Sequence, residues 1–145
     1  MPRLDAERVA VWRGLGQLVD GVRRDLDAEL MDAHELPLVW FDALGALRDA
    51  GGRLRVVELA TQLGDVVSSL SRRVARMAEH DLVERSLEPV AGDHRSVTVA
   101  LTAAGRAAWR DANVTYRRIV QQRFASKVTD TDLVMLQRLL TKTAL

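Results

Sequence analysis

From Val9 onward, apolar residues recur at spacings of three and four: Val9, Trp12, Leu15, Val19, Val22, Leu26 and Leu30. That period is one stripe of a long amphipathic helix. Asp5 and Glu7 suit its positive N-terminal end. Gly14, Gly16 and Gly21 lie inside it, each costing about 1 kcal/mol relative to alanine, so the helix needs packing against something else, such as a second subunit. Pro37 fits the first turn of a second helix of about 13 residues, carrying Leu38, Phe41, Leu44 and Leu47 and stopped by Gly51 and Gly52. Then come Val56, Val57, Leu59, Ala60 and Leu63, a Gly64-Asp65 turn, and a further helix over 67–80, which is helix-turn-helix spacing.

Strand patterns follow at 82–87 and 96–101, the second alternating Val97, Val99 and Leu101 with Ser96, Thr98 and Ala100. Residues 88–95 between them contain Pro89 and Gly92, marking the loop of a hairpin with a polar, partly basic tip. Thr102 can cap a long helix running through Trp109, Ala112, Tyr116, Ile119, Val120 and Phe124. Thr129 with Asp132 forms a capping-box pattern that opens a last helix with Leu133, Leu136, Leu139 and Leu140. The expected fold is therefore mainly α with a small β-hairpin wing. Residues 36–102 form a winged helix-turn-helix, while 1–35 and 103–145 form a helical dimerisation region.

Composition narrows the chemistry. The 145 residues, 48% hydrophobic and 28% charged, suit one globular domain or two subdomains sharing a core, and leave no room for a large multidomain enzyme. The absence of cysteine removes disulfides, thiolate nucleophiles, Cys-ligated zinc and thiol-oxidation sensing. No apolar run approaches the roughly 18 residues of a membrane helix, so no membrane partner and a cytoplasmic location are expected. The net charge of +1 points nowhere, but it hides a polarity. Residues 1–50 carry 6 basic and 10 acidic side chains, 51–100 carry 7 and 7, and 101–145 carry 8 and 3. Within the neutral middle, 66–78 holds Arg72, Arg73 and Arg76 and no acid.

The geometry of a helix gives that basic strip a meaning. At about 100° per residue, Leu70, Val74 and Met77 share one face, with Ser68, Arg72 and Arg76 opposite and Ser69 and Ser71 at the flanks. Arginine can make two hydrogen bonds to guanine, and serine reaches base edges or phosphate without blocking close approach, so this face suits the DNA major groove. Arg73 lies nearer the core boundary and is expected to reach a phosphate. His94 and Arg95 sit at the hairpin tip, where Arg95 can enter the adjacent minor groove and His94 can meet backbone or solvent.

From residue 58 to 105 the chain resembles the winged helix-turn-helix of the MarR (multiple antibiotic resistance regulator) family. The matching stretches are Glu58-Leu59-Ala60, Leu63-Gly64, Ser68-Ser69-Leu70-Ser71-Arg72, Val74 with Arg76, Leu82-Val83-Glu84-Arg85, Asp93-His94-Arg95 and Leu101-Thr102-Ala103-Ala104-Gly105. The flanking helices follow the family's order, so the resemblance covers nearly the whole chain. It implies a homodimer with interlocking terminal helices and two lobes that bind double-stranded DNA at a pseudo-palindromic operator. Ser68, Ser69, Ser71, Arg72 and Arg76 would then lie in the major groove and Arg95 in the minor groove, with Asp93 holding the wing arginine. Three positions depart from the pattern. Val66-Val67 replaces a frequent Ser-Pro, leaving Asp65 or Ser68 as the helix cap. Asp81 stands where glycine is usual, and Arg73 replaces a residue that is commonly apolar.

Other chemistry lacks a constellation. His34, His80 and His94 are far apart, and no metal or cofactor site, catalytic carboxylate pair or phosphate-binding loop is recognisable, so an enzyme is not expected. Trp12, His34, Trp40 and Phe41 could line a pocket for a small aromatic effector, combining aromatic walls with a polar handle; ordinary core or interface roles compete with that reading. The sequence thus reads as a dimeric DNA-binding transcriptional regulator, a repressor by occupancy. The alternative is a winged-helix protein-interaction module, which an acid on the Arg72 and Arg76 face would have favoured.

Overall fold

The computed structural model of the chain describes residues 1–87 and 96–144. Helix α1 (Ala6–His34) leads into α2 (Leu38–Asp49), strand β1 (Arg53–Arg55), α3 (Val56–Leu63), α4 (Val67–Glu79), β2 (Val83–Leu87), β3 (Val97–Leu101) and α5 (Ala103–Arg123). A 3₁₀ turn (Ala125–Lys127) then connects to α6 (Asp130–Thr143). The fold is mainly α with a small antiparallel sheet, as the residue pattern predicts. The sheet has three strands in the order β1-β3-β2 rather than a hairpin alone. Strand β1 escapes sequence reasoning because Arg53-Leu54-Arg55 is too short for a detectable period; it exists through pairing, with Leu54 opposite Val99. Its pairing makes β3 the central strand, and Thr98 is buried along with Val99 instead of facing solvent.

Local chemistry sets the element ends. Asp5 caps α1 by accepting the Arg8 amide at 2.8 Å. That helix ends where Glu35 turns left-handed (φ 52°), with the Leu36 amide returning to the Leu30 carbonyl. Pro37 is the cap residue of α2, one position before the helix rather than inside its first turn, and offers no side-chain oxygen. Asp27 of α1 supplies one instead, accepting the Leu38 amide at 2.9 Å. An orphan donor of one helix is thereby satisfied by the side of another. Thr129 and Asp132 complete the expected capping box of α6.

The core lies in the middle of the chain. Leu44, Leu47, Leu59, Leu70, Met77 and Val99 are wholly buried, with Leu26 and Leu30 of α1 and Ala112 and Ile119 of α5 packed onto the same cluster. The expected apolar stripe of α1 is buried only at Leu26 and Leu30; Trp12 and Val19 face outward. On α6 no residue is buried, although Leu133, Val134, Met135, Leu139 and Leu140 are apolar. Among the described residues, no helix is long and apolar enough to cross a membrane.

Candidate nucleic-acid interface

Helix α4 is held by a narrow apolar edge. Leu70, Val74 and Met77 are buried, which turns Ser68, Ser69, Ser71, Arg72 and Arg76 outward on one exposed surface. A close turn delivers this helix: Gly64 adopts a left-handed conformation (φ 67°), and the Asp65 amide bonds the Ala60 carbonyl at 2.9 Å. Ahead of the turn, α3 is steadied by Glu58, which accepts from the Arg55 amide at 3.0 Å and from its Nε at 3.1 Å. Those two bonds, the backbone one foremost, hold the Glu58 carboxyl below its ordinary pKa.

The cap expected at the start of α4 requires correction. Neither Asp65 nor Ser68 caps the helix; the cap position is Val66, with no side-chain hydrogen bond. Arg73, expected to reach a phosphate, donates to Asp65 Oδ2 at 2.7 Å in the protein without DNA and keeps 17% of its side chain exposed. The Asp65 carboxylate is directed at the second turn of the helix rather than at its first amides, which explains both outcomes. Val66 and Val67 consequently stand exposed at the leading end of α4.

The far end of α4 is locked to the sheet and to α5. Asp81 takes the left-handed conformation (φ 60°) that its short polar side chain tolerates, so it fills a role usual for glycine. Thr102 then ties three elements together: its hydroxyl donates to the Asp81 carbonyl at 2.6 Å and accepts the Gly105 amide at 2.9 Å, while its own amide bonds the Leu82 carbonyl. A Cβ at Gly105 would lie 2.1 Å from the Leu82 carbonyl oxygen, so only glycine permits α5 to start this close.

Sequence reasoning missed what stands beside the arginines. His80 Nδ1 lies 3.0 Å from the Arg76 carbonyl, and its ring meets Trp40 edge-on at 5.2 Å. Trp40 and Val39 of α2 join Ser69, Arg72, Arg73 and Arg76 around a cleft of about 230 Å³. Only the tertiary fold brings α2 against α4, so no local pattern could have signalled this neighbour. The expected wing residues Asp93, His94 and Arg95 lie outside the described residues.

The four residues expected to line an effector pocket are not gathered within one protomer. Trp12 and His34 are on the same helix, 22 positions apart, which is about 33 Å along its axis. His34 Nε2 pairs with the Thr115 hydroxyl at 2.8 Å, tying the end of α1 to α5. Phe41 is buried and stacked against Trp109 and Tyr116, at ring separations of 5.9 and 4.8 Å, while Trp40 meets His80. An open cleft of about 620 Å³ between α1 and the start of α2 is lined by Asp20, Arg23, Arg24, Asp27, Pro37, Leu38 and Val39, and includes none of the four. Among the described residues, no group of three His, Cys, Asp or Glu is placed to hold a metal ion.

Residues 34–96 match the MarR family. No curated protein matches the chain. Among solved structures it is similar to Sco3205, a MarR family transcriptional regulator from Streptomyces coelicolor in complex with DNA. Identity is 28% over 99% of this chain and 90% of that one, with a TM-score of 0.86. A mutant MarR from E. coli complexed with operator DNA shares the fold at a TM-score of 0.81 and 24% identity, covering 99% of this chain and 100% of that one. The organohalide-sensing regulator RdhR-CbdbA1625, in its 2,4-dichlorophenol-bound form, does so at 0.79 and 23% identity, covering 98% and 83%.

Proposed function

Because residues 34–96 match the MarR family and the fold is shared over 99% of the chain with a MarR family transcriptional regulator in complex with DNA, we propose that the protein is a sequence-specific, dimeric DNA-binding transcriptional regulator. The observation that carries this reading is the surface of α4. Two arginines and three serines share an exposed face with no acid before Glu79 at the end of the helix, opposite an edge fixed in the core by Leu70, Val74 and Met77. Arg72 and Arg76 have the reach and donor geometry to read guanine in the major groove, and the serines let the helix approach closely. Arg95 and His94 of the wing contact the adjacent minor groove and backbone, with Asp93 supporting Arg95.

Surface left uncovered in the protomer supports dimerisation. The N-terminal half of α1 and all of α6 expose apolar side chains, Trp12, Leu133 and Leu140 among them. Residues 1–35 and 103–145 of two copies cover one another, leaving the 36–102 lobes free. A two-fold pair then presents its α4 helices about 34–36 Å apart, one turn of DNA, and the operator is pseudo-palindromic. Repression is by occupancy of that operator in the cytoplasm. A small aromatic effector releases the dimer by favouring a lobe separation that no longer matches one turn of DNA. The 2,4-dichlorophenol-bound relative supports an effector of that class.

A binding selection against random duplex DNA tests the proposal. Enrichment of a palindrome with one-turn half-site spacing is expected, with affinity falling steeply as salt rises. Absence of any enriched duplex would replace it with a winged-helix module that binds protein.

A further inference from the structure

The ion pair at the base of α4 carries an inference that rests on the DNA-binding reading above. We propose that Arg73 is a positioning residue of the recognition helix, acting through Asp65, and not a phosphate contact. Three observations support this. First, α4 starts without a side-chain cap and without an acid in its first turn, so nothing within the helix secures its leading end. Second, Asp65, in the turn before that end, is joined to Arg73 two helical turns away at 2.7 Å, with side chains 17% and 30% exposed for Arg73 and Asp65. The pair spans the uncapped turn and is more shielded than the Arg55–Glu58 pair, whose side chains are 46% and 45% exposed.

Third, the pair is half of a larger charge cluster. Arg23 of α1 donates to Asp42 of α2 at 2.8 Å, and both pairs line one cavity of about 70 Å³ with Val39 and Leu63. That volume is far below the roughly 300 Å³ at which ligand pockets begin, so the cluster is a joint between elements rather than a binding site. Its two guanidiniums and two carboxylates balance. An Arg73 that swung out to a phosphate would leave the Asp42 and Asp65 carboxylates sharing Arg23 alone in a half-buried place, a desolvation cost that opposes release. The cluster therefore connects α1 to the turn that aims α4, and holds the reading face at a fixed attitude to the dimerisation helices.

The experiment uses the full chain, the duplex enriched by the selection above, and the variants Asp65→Asn, Arg73→Gln and their double. Under the proposal each single variant weakens binding about tenfold, the double is no weaker than either single, and the salt dependence keeps its slope. The opposite sign overturns it. If Arg73 contacts phosphate, Asp65→Asn frees that cation and tightens binding, while Arg73→Gln lowers the salt slope by about one for each phosphate left without its arginine. Amide hydrogen exchange over residues 66–70 without DNA supplies an independent readout. Faster exchange there in both singles, with α2 still protected, supports positioning; unchanged exchange refutes it. Faster exchange in a protein that enriches no duplex would sink the DNA-binding reading and leave the pair as the anchor of α4.

Discussion

The 36–102 lobe and the terminal helices use similar amounts of leucine and valine in opposite ways. Of the nine largest fully buried side chains among the described residues, eight lie between Leu44 and Val99, and the ninth, Leu30, is at the end of α1 that rests on the lobe. Helix α6 buries none of its apolar residues. A helix of 14 residues without tertiary support is marginal in water, and α6 has no buried residue within the protomer, which is the surface the proposed dimer would cover. The lobe buries its apolar residues within the protomer, with help from the inner ends of α1 and α5, whereas the outer half of α1 and α6 leave theirs exposed. Under the proposed dimer this contrast separates stability from assembly, and substitutions should divide accordingly.

The largest effect is expected inside the lobe. Leu70→Ala should cost about 2–5 kcal/mol in denaturant unfolding at every protein concentration, because the cavity it leaves lies under the reading helix. Leu140→Asp should leave the lobe intact but weaken dimerisation by about a hundredfold in analytical ultracentrifugation, since a charge would be buried between copies. A monomer–dimer equilibrium indifferent to this change would remove α6 from the interface. Arg72→Ala should lose about 1–3 kcal/mol of operator binding with an unchanged unfolding midpoint, locating recognition on the lobe and not at the ends. Thr102→Val should cost about 1 kcal/mol of stability through the lost cap and the lost bond to the Asp81 carbonyl. The smallest effect concerns Glu58. Its carboxyl titrates below the ordinary value when folded, so its contribution is present above that value and fades as pH falls through the folded one. Glu58→Gln should therefore be less stable than wild type near neutrality, and the difference should close in acid unfolding curves.

Much of the lobe is legible in the residue order because its periods are local. The Leu70, Val74 and Met77 stripe by itself identifies the buried edge of α4, and hence its exposed arginine and serine face. The Thr129 and Asp132 cap and the tolerance of Asp81 for a left-handed turn are readable for the same reason. Strand β1 is not, since three residues hold no period and the strand depends on a partner far along the chain. The aromatic residues are less legible: Trp12 lies far along α1 from His34, while His34, Trp40 and Phe41 each take a packing partner that only the tertiary structure reveals.

Arg73 draws the line between the two levels. Residue order alone determined which helix carries the basic strip, which edge of it is apolar, and that no cysteine chemistry is available, because helical geometry repeats every few residues and composition needs no coordinates. Which arginines face outward with their charge uncompensated was decided only by the tertiary structure. The turn at Gly64 brings Asp65 back onto Arg73, and α1 and α2 close a second ion pair beside it. Such pairing depends on where elements meet, and a charge acts through its distance to other charges rather than through its place in the chain.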